Sequence, residues 1–433
     1  MSKESIPEQH ISIKPPLHPK QESSLHSQVI HSFLLILASS VLISGICIVV
    51  AFMSLYTYEQ SGLLIYNSIF KGLFIGGLVI VLNSLGEKDS TIDKFLIIPR
   101  TMALSAALVT SALLSNKVDT NFNNYWVGGI SLITAAISSS FYLVAFGACK
   151  KMAVSKVLSD SPLARYLASE DMVFVMRRQL AVIYPFGQFL ISLGYGDANM
   201  EIMTNKASTW SLLGIFITYP LSIGIAKYIA QYIAGIKDPN HINIFMFLSL
   251  VFAAVPYRML YFDVMEYGSQ IAAYLLAKYI YKIFFYCGFG AVMSTNPEGM
   301  MVKIVGHNKD FVLRFMIIMF CDIISIISMA VFAKVFYHVK GFFMTEDQAN
   351  RIVGYSAIDF GVDIVLMMLT LAIWKKYQKL DGLNLFDLLK EFVMKNWLVL
   401  LLGWLVVFHV FFAVVNEMMT KMMRDMMAMM GMM

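Results

Sequence analysis

Charge is what this chain has least of. Asp, Glu, Lys and Arg make up 14% of its 433 residues, against 58% hydrophobic ones. A soluble domain carries about 25% charged and about 45–50% apolar residues. The shortfall excludes an ordinary water-soluble globule. The net charge of +5 does not form a nucleic-acid-binding surface, because the basic residues lie in short stretches between apolar runs. Cysteine is also scarce. Cys47, Cys149, Cys287 and Cys321 sit in or beside apolar segments with no Cys-x-x-Cys or Cys/His spacing. They read as reduced packing residues, so neither a disulfide nor a zinc site is expected. Nucleotide-binding loops, His-Glu-x-x-His, Gly-x-Ser-x-Gly and paired nucleophile and base are absent as motifs. The chain is not expected to be an enzyme, and no cofactor or metal is expected.

What is present is long apolar runs, with a mean hydropathy of +0.69 overall. They fall at 30–57, 62–85, 95–115, 125–148, 179–197, 209–234, 241–265, 268–294, 311–337, 352–374 and 396–416. Each approaches the ~20 residues that cross ~30 Å of hydrocarbon as a helix, whereas barrel strands need only about ten alternating residues. The expected fold is an all-α polytopic membrane protein of about eleven transmembrane helices in two parallel-repeat bundles. Residues 1–28 read as a disordered cytoplasmic tail, 29–149 as a first bundle and 150–178 as a cytoplasmic linker. Residues 179–380 then form a second bundle, 381–416 an extra C-terminal span and 417–433 a Met-rich tail.

The duplication shows in a repeated hairpin. One apolar run ends in Leu85-Gly86-Glu87-Lys88-Asp89 and another in Ala234-Gly235-Ile236-Lys237-Asp238, each followed by a further run. Basic residues gather in the connections that hold these turns and in the 150–178, 295–310 and 375–395 connections, among them Lys88, Lys94, Lys150, Lys151, Arg177, Arg178 and Lys237, so the N-terminus is expected in the cytoplasm of a plasma (inner) membrane. Both turns then face the cytoplasm, which makes the repeats parallel. In the tail, Met418-Met419, Met422-Met423, Met426-Met427 and Met429-Met430 recur at near-helical spacing. Stacked thioethers suit Cu(I), but with no His or Cys among them they read as a flexible apolar face lying on the membrane.

A few ionisable residues lie where snorkelling cannot reach. Lys71 is central in the second run, Lys282 in the eighth with Lys278 one turn away, Asp322 in the ninth, and Asp363 in the tenth with Asp359 one turn away. Such residues mark a pathway or a buried pair. Three consecutive runs placing charge at one depth point to a site at the midplane. Asp322, Asp359 and Asp363 are the candidate ion-coupling groups, and Lys71, Lys278 and Lys282 the candidate substrate contacts or charge partners. A carboxylate that alternately faces a lysine and an aqueous cavity binds and releases a proton or Na⁺. Arg258 and Asp263, toward the outer end of the seventh run, read as pairing with each other or with water, and His409 as a packing residue.

The stretch Gly76-Gly77-Leu78-Val79-Ile80-Val81-Leu82-Asn83-Ser84-Leu85-Gly86-Glu87-Lys88-Asp89 resembles the second span and following turn of multidrug and toxin extrusion (MATE) transporters. Pro220 to Ala226 with Gly235–Asp238, and Arg178 to Pro185, resemble the matching parts of that family's second half. The resemblance implies two six-helix bundles, alternating access, and proton or Na⁺ antiport of organic solutes or, in sister families, of lipid-linked glycans. The chain departs from that pattern: its first half has four runs, its first run has no Asp or Glu, and its eleventh run is additional. The expected partners are a small-molecule substrate, a proton or sodium ion and membrane lipid, with no nucleic acid. A cation-coupled secondary transporter exporting an organic solute is the leading expectation. A flippase for a lipid-linked substrate and a non-transporting scaffold subunit are the alternatives.

Overall fold

The computed structural model describes residues 25–58, 63–85, 96–116, 124–155, 162–204, 209–235, 238–264, 268–283, 308–336, 346–376 and 383–429. Most of the tail 1–28, the first turn's Gly86–Asp89, Cys287, Met432-Met433 and the side chains of Asp263, His409 and the methionines after Asn416 lie outside the described residues. The described residues form twelve helices and no strand. In chain order these are α1 (Leu25–Tyr58), α2 (Leu63–Ser84), α3 (Ile97–Asn116), α4 (Asn124–Val154), α5 (Pro162–Ser169) and α6 (Met172–Thr204). They continue with α7 (Thr209–Ala234), α8 (Pro239–Val264), α9 (Gly268–Ile283), α10 (Asn308–Phe336), α11 (Glu346–Lys376) and α12 (Leu385–Met429). Among the described residues five helices, α1, α3, α4, α10 and α11, are long and apolar enough to cross a membrane, and α2, α7 and α8 contain shorter apolar stretches. Large apolar side chains such as Leu42, Val144 and Ile229 face outward, as lipid requires and water does not.

The helix ends follow local chemistry. Gly235 terminates α7 with φ of 65°, where a residue with a Cβ is strained, and its N–H bonds the Tyr232 carbonyl at 3.1 Å. Asp238 then caps α8, its carboxylate accepting from the Asn240 N–H at 3.3 Å, and Pro239 occupies the first helical position, where no N–H is needed. Asp171 caps α6 in the same way through the Val173 N–H. The predicted linker is therefore mostly helical: α4 runs on through Val154, α5 is a short amphipathic helix, and α6 already includes Arg177 and Arg178. Lys150 ties α4 to the end of α5 by donating to the Glu170 carbonyl.

The two repeated hairpins differ in packing. α2 lies along α3, while α7 meets α8 only lightly and packs on α9 and α6. The reason is Gly72 and Gly76, one turn apart on α2. A Cβ on Gly72 would stand 2.8 Å from the Leu108 Cα, so only glycine allows the two backbones this approach. α7 has Pro220 inside it instead, and its wider gap from α8 leaves room for a cavity.

Arg178 on α6 joins the two turn regions. Its guanidinium donates to the carbonyls of Leu82, Asn83 and Leu85 at the C-terminal end of α2, the last at 2.6 Å, and lies 3.4 Å from His241 Nε2 at the start of α8. Gln179 and Asn83 exchange amide hydrogen bonds beside it. The ends of both hairpins therefore lie on one side of the bundle. α12 packs against α1, α2, α4, α8 and α10, so it contacts helices from early and late in the chain. Trp404, Leu400 and Val407 on it are fully buried, and Asn396 exchanges amide hydrogen bonds with Asn240 of α8. Gly403 allows the close contact with Leu248.

Gly72→Ala should therefore destabilise the protein by about 1–3 kcal/mol, since the opposing atom is backbone and cannot yield. Gly403→Ala should cost less, because the atom in its way is the Leu248 side-chain tip, 2.4 Å from the added Cβ. Thermal unfolding of the two variants in detergent, followed by intrinsic fluorescence, gives the comparison; equal losses would contradict it.

Candidate functional site

Four helices, α8 to α11, bring six charged side chains together in a closed ring. Arg258 of α8 pairs with Asp322 of α10 at 2.6 Å and with Asp359 of α11 at 3.3 Å. Asp322 also pairs with Lys282 of α9, and Lys282 with Asp363 of α11 at 2.6 Å. Asp363 pairs with Lys278 at 2.8 Å, and Lys278 closes the circuit on Asp359. Positive and negative charges alternate around the ring. Each carboxylate touches two cations and each cation two carboxylates, so the formal charge sums to zero.

Helical periodicity builds it. Lys278 and Lys282 are one turn apart on α9, and Asp359 and Asp363 one turn apart on α11, so each pair shares a face. Lys278 meets Asp359 and Lys282 meets Asp363 in the same order, which makes α9 and α11 run in the same sense. Secondary partners hold the ring. Arg258 donates to the Ser325 hydroxyl, and Tyr274 donates to Asp359 at 3.3 Å. Lys282 also lies 3.9 Å from the Met319 sulfur. Isolated ions in so apolar an interior carry a large desolvation cost, and the doubled pairing offsets it.

The ring is unevenly exposed. Asp359 and Asp363 are 0% exposed, whereas Asp322 is 14% exposed. Asp322, Arg258, Lys278 and Lys282 border a cavity of ≈ 140 Å³ between α7, α8, α9 and α10. Its remaining wall is largely apolar and aromatic, including Phe216, Tyr219 and Tyr274. The Tyr219 hydroxyl is already engaged, donating to the Ala253 carbonyl at 3.0 Å.

Of the six residues singled out from the sequence, the structure brings five into the ring: Lys278, Lys282, Asp322, Asp359 and Asp363. Lys71 is not among them. It is buried on α2, whose neighbours are α3, α4, α12 and α1, and no described residue hydrogen-bonds or ion-pairs with it. Arg258 takes the third cationic place, contrary to the expectation that it pairs near the membrane surface. Helical side chains lean toward the helix N-terminus, so a guanidinium rooted late in α8 swings back into the bundle interior. Charge balance was the available signal: without Lys71, three intramembrane carboxylates face only two lysines, and Arg258 is the one arginine between Phe245 and Asp263.

No family model matches the chain, and no significant similarity links it to a curated protein or a solved structure.

Removing one ring carboxylate leaves two cations sharing too little negative charge. Asp359→Asn should cost about 3–5 kcal/mol, the usual penalty for breaking a buried pair on one side. Asp322→Asn should cost distinctly less, because the cavity gives its partners access to water. Unfolding temperatures of both variants in one detergent test the order, and an Asp322→Asn variant as damaged as Asp359→Asn would refute it.

Proposed function

We propose that this chain is a secondary transporter coupled to a proton or sodium ion, moving an organic solute across its membrane by alternating access. The observation that carries the reading is the uneven ring: a neutral, fully paired charge network that borders a cavity with its cations and with one of its three carboxylates, Asp322, while Asp359 and Asp363 are sealed. A network serving only to join helices has no need of an opening. One that exchanges an ion needs a member that can lose its partners and meet water. Asp322 fills that role, Asp363 and Asp359 store the compensating charge behind it, and Lys278 and Lys282 contact the solute or re-pair with the carboxylates. The fold places the cavity beside Pro220 in α7, and a proline-weakened helix can bend as access changes sides. The basic loops favour a cytoplasmic N-terminus. The support lies in the site itself, since the MATE-like resemblance is carried by short motifs.

A second reading has one observation in its favour. Every ring charge is doubly satisfied, which suits a rigid scaffold subunit whose ring only joins helices.

Proteoliposomes holding the full chain, supplied with a mixture of labelled organic solutes and an imposed pH or Na⁺ gradient, separate the two. Transport predicts gradient-dependent accumulation of some solute above empty liposomes, with a loss of tenfold or more in Asp322→Asn and Asp363→Asn. Accumulation unchanged in both variants would remove the coupling roles, and no gradient-dependent flux with any solute would favour the scaffold.

A further inference from the structure

The cavity wall has a sign. Three cations, Arg258, Lys278 and Lys282, border it against one carboxylate, Asp322, while the two carboxylates that balance the others are sealed behind them with no exposure. A guest therefore meets an excess of positive charge beside an apolar, aromatic wall containing Phe216 and Tyr274. A cationic guest would find one carboxylate already held by two cations. An anionic guest finds guanidinium and ammonium donors, and its apolar body finds the ring faces.

We infer that the cavity binds a small organic monoanion, in chemical class an aromatic carboxylate, and that one proton taken up by Asp322 accompanies it. The charge arithmetic requires the second part. The ring is neutral with three cations and three carboxylates. A bound monoanion that takes over Arg258 and Lys282 leaves a surplus negative charge in the bundle interior, where an unpaired ion is strongly disfavoured. Adding a proton from water to an Asp322 oxygen restores neutrality; no bond other than this O–H forms and none breaks. The charged and titratable groups facing Asp322 are Arg258 from α8, Tyr274, Lys278 and Lys282 from α9, and Asp359 and Asp363 from α11. Asp322 is the ring carboxylate that reaches the cavity, and so the one a proton from that side meets. Anion and proton then bind and leave together, the reverse of the exchange expected for an antiporter of organic cations. For its coupling to a gradient this inference rests on the transport reading above; the binding itself does not.

Benzoate is the probe, with benzylammonium as its cation counterpart, titrated calorimetrically into the purified full-length protein in neutral detergent. Buffers of different ionisation enthalpy report the protons taken up. The expected result is saturable benzoate binding with about one proton absorbed per benzoate at near-neutral pH, and no saturable binding of benzylammonium. Lys282→Met should weaken benzoate at least tenfold and Lys282→Arg should retain it. Asp322→Asn, which mimics the protonated acid, should bind benzoate with no proton uptake and so stays informative if Lys282→Met fails to fold. Benzylammonium binding as tightly as benzoate, or no benzoate binding, would overturn the substrate class. So would phosphatidylglycerol saturating the site while benzoate stays silent, which would assign the anion site to a lipid headgroup. Benzoate binding without proton uptake in the unmodified protein would overturn the coupling. Because no gradient is present, failure here leaves the proteoliposome result standing, and absence of flux there leaves measured binding standing.

Discussion

The interior of this protein depends on the mutual neutralisation of six charges in a medium that tolerates none of them singly. In a low-dielectric interior an ion gains most beside its opposite, and the alternating ring supplies each of its ions with two. That constraint fixes more than the site. It sets the rotation of α9 and α11, because both i, i+4 pairs must face inward. It sets the depth of α10 through Asp322, and it draws the Arg258 guanidinium away from the membrane surface. The helices α8 to α11 could not slide or rotate independently without separating charges, so the ring gives the second half of the chain a register that apolar packing alone leaves loose.

Depth within an apolar run was a sound guide to part of this. Lys278, Lys282, Asp322, Asp359 and Asp363 stand out because nothing at the middle of a span solvates a charge, and they do converge. Lys71 satisfies the same criterion yet lies on a helix outside the ring, because depth says nothing of the direction in which a side chain points. Arg258 fails the criterion and belongs, because an arginine carries its charge several ångströms from its own backbone. The run boundaries locate the described helices, but they begin too late wherever a helix starts ahead of its apolar run, as α6 does at Met172 and α12 at Leu385.

Similar turns did not mean similar packing. Both hairpins carry Gly and Asp at matching places, and the second turn uses them as a helix end and a helix cap. What separates them is the residue pattern higher in the helix: glycines one turn apart let α2 close on α3, whereas Pro220 lies where α7 stands off from α8. The tight hairpin is closed by backbone contact, and the loose one contributes to the wall of a cavity. The likeness between the two stretches lies in their turns, while the charged ring lies deeper in the bundle.

The central position of α12 has a consequence for how the chain is made. Helices enter a membrane in the order of synthesis, so α1, α2, α4, α8 and α10 are all in place before the helix that touches every one of them exists. Until it arrives, the surfaces that will receive Trp404 and Leu400 must be covered by lipid or by one another, and Asn240 lacks its Asn396 partner. A ribosome that stops before α12 releases a chain in which those faces stay uncovered. α12 thus closes faces that the helices made before it cannot close among themselves, and its loss would leave those faces open.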